Sequence, residues 1–76
     1  MSANQNTIND LLSKIYNISH IEEINQIKYT NLNMLKSIYD KSVIINMINE
    51  FLMTKQISQA NKDKINIYLN EIYELL

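Results

Sequence analysis

The side chains that could do chemistry in this chain are few and scattered. Its one histidine, His20, is followed at once by Ile21-Glu22-Glu23. A histidine titrates near neutral pH, and paired carboxylates can bind a cation or pass a proton. Neighbouring residues of a helix do not face each other, however, so Glu22 and Glu23 cannot converge on one site unaided. The plainer reading is a helix start, where the dipole favours negative charge, with His20 a surface residue in the first turn. Glu71 and Glu74 stand three residues apart and could share a cation. They lack the Glu-x-x-His motif of di-iron bundles, and a solvated face explains them more simply. One histidine supports no Ser-His-acid set, and the hydroxyl residues fall mostly at expected helix starts. With no cysteine there is no disulfide and no thiolate metal site. With no glycine the phosphate loop and the dinucleotide fingerprint are excluded. The expectation is therefore a non-enzymatic binding protein with no catalytic residue, cofactor or metal.

Charge narrows the partners. Seven lysines, no arginine and eight acids give a net charge of −1, spread singly along the chain. Nucleic-acid binding draws on a basic stripe and on arginine as a bidentate reader, and both are missing. The uncharged start, MSANQNT, has neither the basic nor the apolar region of a secretion signal. That start and the missing cysteines fit a cytoplasmic protein. The richest apolar stretch, Val43 to Met53, has eight apolar residues in eleven but is interrupted by Asn46, Asn49 and Glu50. A membrane span needs about 20 apolar residues, so a spanning helix is not expected.

The elements that must position any site are helical. Glycine and proline are both absent, which disfavours hairpins and sharp turns and leaves helices joined by short polar links. Where a helix ends in a left-handed residue, asparagine is expected to replace glycine. The abundance of Asn, Ile, Lys and Tyr also follows from AT-rich codons, so asparagine clusters carry little functional weight. Ile8, Leu11, Leu12 and Ile15 share one helical face, predicting a first helix that starts after Asn6 or Thr7, with Thr7 a candidate N-cap, and runs to about Asn17. Ser19-His20-Ile21-Glu22 matches a capping box, predicting one helix over about 20–39; Thr30-Asn31-Leu32-Asn33 is poor helix material, so a break near 28–31, making two helices of it, stays open. Ser42 is the expected cap of a third helix, 43–54, and Ser58 the expected cap of a fourth, with Ile57 as a hydrophobic staple before it. In that last helix Ile65, Tyr68, Leu69, Ile72, Leu75 and Leu76 lie on one face, with Tyr73 at its edge. Short links favour antiparallel neighbours, so the expected fold is all-α, a small antiparallel up-and-down four-helix bundle over 7–76, with residues 1–6 frayed.

The third helix is the most apolar. Plotted at about 100° per residue, Val43, Ile44, Ile45, Met47, Ile48, Phe51 and Leu52 cover roughly 200°, about twice the stripe one core face needs. It is expected to be the most buried helix, with a surplus left for another helix, a second copy or a partner. Met34 and Met47 are expected to fill core, and Met53, opposite the main arc, to be exposed.

Read in order, the segments resemble the bacteriocin immunity proteins of the pediocin-like, enterocin A-type group. DLLSKIYNIS at 10–19 resembles the family's first helix, and MLKSIYDK at 34–41 the end of its second. SVIINMINEFLMTKQIS at 42–58 resembles its third helix and the link that follows, and NKDKINIYL at 61–69 its lysine-bearing last helix. The resemblance covers most of the chain and rests on helical spacing and residue types. It implies a cytosolic four-helix bundle that protects a producer cell from its own bacteriocin. Such a protein would recognise a mannose phosphotransferase permease with bound bacteriocin and block the pore. It also implies specificity in the C-terminal half, here the third and fourth helices and the link 55–57. Together with the exposure expected for Met53, this makes Met53, Lys55, Gln56 and Ile57 the candidate partner-binding residues. Two other readings stay open: an inhibitor of a host defence protein carried by a phage or mobile element, similar to an anti-CRISPR, and a structural homo-oligomer.

Overall fold

The computed structural model describes residues 2–76, with side chains from Asn4 onward. It holds five helices: α1 (Ser2–Ser19), α2 (Glu22–Ile27), α3 (Leu32–Ile38), α4 (Lys41–Leu52) and α5 (Gln59–Leu75). They form an all-α bundle with four legs, the second leg being divided between α2 and α3. Side-chain bonds show the directions. Asn4 donates to the Leu75 carbonyl at one end of the α1–α5 pair, and Lys55 donates to the Ser19 and His20 carbonyls at the other, so α1 and α5 are antiparallel. Lys28 Nζ bonds Ser13 Oγ at 3.1 Å and the Leu32 N–H bonds Gln5 Oε1 at 3.3 Å, so the second leg runs back along α1. The Lys41 ammonium lies 4.4 Å from the Tyr73 ring centroid, which sets the start of α4 beside the end of α5.

Several helix limits differ from those the sequence predicts. The first helix begins at Ser2 and runs through Ser19, so Thr7 lies inside it rather than capping it. Of the segment 1–6 expected to fray, Met1 lies outside the described residues and Ser2–Asn6 belong to the first turns of α1. Because α1 continues to Ser19, the capping box at Ser19–Glu22 does not form. Ser19 is buried, and its Oγ accepts the Ile21 N–H at 3.3 Å, while the N-cap of α2 is Ile21, without a side-chain cap bond. The left-handed residue that ends α1 is not an asparagine but His20, at φ 56°, with its N–H donated to the Tyr16 carbonyl at 2.6 Å. This is the αL closure that glycine usually makes; histidine is among the few other types that tolerate it. His20 is thus a helix terminator and not a first-turn residue.

The second leg breaks at 28–31, where the sequence places its weak point. The Tyr29 and Thr30 N–H groups close on Gln26 and Ile27, three residues back, which tightens and ends α2. Asn31 then caps α3, its side chain accepting the Met34 N–H at 3.2 Å. The N-cap of α4 is Asp40, whose carbonyl accepts from Val43 and Ile44; Ser42, two residues on, already lies inside the helix and cannot cap it. Ser58 does cap α5, accepting the Asn61 N–H at 3.3 Å, and Ile57 before it packs half-buried against the core.

The core gathers around α1. Ile8, Leu11, Leu12 and Ile15 are buried, with Leu12 and Ile15 fully so. Against them pack Ile65, Leu69 and Ile72 of α5, Ile24 of α2, Leu32 of α3 and Ile48 of α4. Each such side chain contributes roughly 1.5–3 kcal/mol by leaving water. The most apolar helix is not the most buried one. In α4 only Ile44 and Ile48 are buried, while Val43 and Met47 are exposed. Met34, expected in the core, is 61% exposed on α3. Among the described residues, no helix is long and apolar enough to cross a membrane.

Candidate functional site

The corner where α4 hands over to α5 carries an open groove of about 430 Å³. Its shape follows from how α4 ends. The Met53 N–H donates to the Asn49 carbonyl at 3.0 Å, still in helical register. Thr54 then donates both its N–H (3.1 Å) and its Oγ (2.6 Å) to the Phe51 carbonyl, which closes the last turn. Residues 55–57 cross to Ser58, and α5 starts back along the bundle. The Met53 side chain, 82% exposed, stands at the lip. Leu52 and Ile57, both half-buried, form the floor with the buried Ile65. The rim is polar: Asn49, Gln56 and Asn66, with Lys55 and Lys62.

All four residues singled out in the sequence, Met53, Lys55, Gln56 and Ile57, line this one groove. Lys55 also has a task within the fold. Its ammonium reaches the Ser19 and His20 carbonyls at 3.4 and 3.3 Å, long bonds that place positive charge on the negative end of the α1 dipole. The residues that sequence reasoning missed are Asn49 and Leu52 on α4 and Lys62, Ile65 and Asn66 on α5. Lys62, Ile65 and Asn66 follow the i, i+3, i+4 spacing of one helical face. That spacing marks a face, but only the packing of α5 on α4 makes it one wall of a groove.

The groups first considered for chemistry lie elsewhere and apart. Glu22 accepts from the Tyr16 hydroxyl at 3.4 Å and from Asn25 Nδ2 at 3.2 Å, which ties the start of α2 to α1. The His20 ring meets the Tyr16 ring edge-on, with centroids 6.2 Å apart. Glu71 and Glu74 are exposed on α5. Among the described residues, no three His, Cys, Asp or Glu side chains come together as a metal site.

A second open region lies between the second leg and α4. It is about 250 Å³, with an apolar lining that includes Ile27, Leu35, Met47 and Phe51, and Glu23 at its edge. Comparison with protein-family profiles, with characterised proteins and with solved structures finds no match to this chain.

Proposed function

We propose that this protein is a non-enzymatic, cytoplasmic binding module that protects a bacteriocin producer, engaging the bacteriocin-bound mannose phosphotransferase permease through the α4–α5 groove. The observation that carries the reading is the convergence of Met53, Lys55, Gln56 and Ile57 on one open groove. The resemblance to the pediocin-like immunity proteins directs attention to the link 55–57, and Met53 is the exposed residue beside it. The groove suits protein docking: an apolar floor gives affinity, and a rim of amides and lysines gives direction. The methionine at its lip adapts to the shape of an incoming surface.

The test is expression of the full chain in a strain sensitive to class IIa bacteriocins, reading the inhibitory concentration of each peptide. Protection should appear as a rise of tenfold or more against at least one of them. The double variant Met53→Ala, Gln56→Ala removes two exposed side chains and should lose most of that protection with helicity unchanged. No protection against any peptide of the class sinks the reading. Protection that survives the double variant removes the groove from it.

One observation favours a second reading, the structural homo-oligomer. Met34, Ile38, Val43 and Met47 are all exposed on α3 and α4. Light scattering at high protein concentration separates the two, since a persistent monomer ends the oligomer reading.

A further inference from the structure

The lining of the α4–α5 groove is one-sided in charge. It contains Lys55 and Lys62 and no acid, in a chain whose acids outnumber its lysines. Two acids adjoin lining residues without joining the lining: Glu50 beside Asn49, and Asp63 beside Lys62, whose carboxylate accepts from Gln59 Nε2 at 3.0 Å. The two ammonium groups also differ. Two of the three donors of Lys55 are directed at the Ser19 and His20 carbonyls, which holds that charge at one end of the rim. The Lys62 ammonium has no bonded partner among the described residues. The same lining includes the apolar side chains of Leu52, Ile57 and Ile65.

We infer that the groove takes an acidic amphipathic segment of a partner protein, with apolar side chains on the floor and a carboxylate between Lys55 and Lys62. The inference rests on the reading of this groove as a docking site and not on the identity of the partner. Charge complementarity selects the occupant. A basic segment would meet two like charges, and a neutral one would leave the Lys62 ammonium unanswered while displacing water from around it. The volume of about 430 Å³ falls in the range of sites that enclose small ligands, enough for two or three apolar side chains but not for a whole helix. A helical segment would therefore lie across the groove and insert anchors spaced three or four residues apart. An open, partly wet rim makes the charge contribution sensitive to salt.

The experiment is selection of a displayed random peptide library against the full chain, counter-selected against the Lys62→Glu variant. Enriched peptides should share one or more Asp or Glu beside apolar residues three or four apart. Amide resonances that shift on titration of such a peptide should belong to residues between Asn49 and Asn66. Lys62→Gln should weaken binding about threefold and Lys62→Glu about tenfold, with helicity unchanged because Lys62 is exposed. Raising salt from 0.05 to 0.5 M should weaken the acidic peptide severalfold and leave a Gln-substituted version unaffected.

The inference is overturned by no enrichment, by a neutral or basic consensus, or by shifts that map to α3 and the exposed side of α4. It is equally overturned if vesicles of anionic lipid bind the chain while peptides do not, or if the groove proves buried in a dimer. None of these outcomes touches protection against bacteriocin in cells, so the two readings fail separately.

Discussion

Along α1 and α5 the apolar residues recur on one face and disappear from solvent: Ile8, Leu11, Leu12 and Ile15 on one helix, Ile65, Leu69 and Ile72 on the other. Along α3 and α4 the apolar residues are more frequent, yet Leu32, Ile44 and Ile48 alone are buried. Met34, Ile38, Val43 and Met47 stay in contact with water. Length explains much of the difference. The two long helices, of 18 and 17 residues, lie antiparallel over nearly their whole extent. At about 1.5 Å per residue, α3 spans only about 10 Å against about 18 Å for α4, so it cannot cover the wide apolar arc beside it. Burial is decided by what stands opposite a side chain, and apolarity only makes it favourable.

Core truncation should separate the halves most sharply. Leu12→Ala empties a fully buried site and should cost about 3 kcal/mol in denaturant unfolding, while Met47→Ala should cost under about 1 kcal/mol. Equal losses would erase the contrast between the two halves. The junction at His20 should give the next largest effect. His20→Gly relieves the positive φ and should raise stability by about 1 kcal/mol, seen as a higher denaturation midpoint; a β-branched residue there should lower it by a similar amount. Lys55→Met keeps the stem and removes the charge from the end of α1, which should cost about 0.5 kcal/mol, a loss that shrinks at high salt. The smallest change is expected for Met34→Gln on the exposed side of α3. It should fall within about 0.5 kcal/mol of the parent and reduce self-association if that face meets a second copy. Amide exchange gives an independent check: the interior N–H groups of α1 and α5 should exchange last, and those of the seven-residue α3 first.

Much of this contrast was legible along the chain. The stripes of α1 and α5 repeat cleanly, and a strict stripe defines its buried face without reference to neighbours. The weak point at 28–31 is visible in the poor helix formers Thr30 to Asn33, but whether it divides the leg is not; the structure settles that with Asn31, which caps the next helix. Ser58 caps where the sequence places a cap. The failures share a cause. Ser19, Ser42 and Thr7 each look like caps, but a cap works only if the helix stops beside it. Alpha1 starts earlier and runs on to Ser19, and Asp40 stands ahead of Ser42. Met34 and Met47 are apolar and stand beside or within the apolar arcs of their helices, but neither type nor arc says whether a neighbour is long enough to cover them. At the candidate site, Met53 through Ile57 lie close together in sequence and could be singled out together. Lys62, Ile65 and Asn66 join them only through the turn at Ser58.

The sequence by itself determined that this chain is helical, because it has no glycine or proline and carries apolar residues at helical spacing. It also determined which faces of the first and last helices must be hidden. Tertiary structure decided the rest: that the most apolar helix keeps part of its arc in water, that a histidine takes the left-handed position, and that two lysines from different segments share one groove without an acid between them. These are properties of pairs of segments. Local spacing sets the direction in which each side chain leaves its own helix, and only packing sets what it meets there.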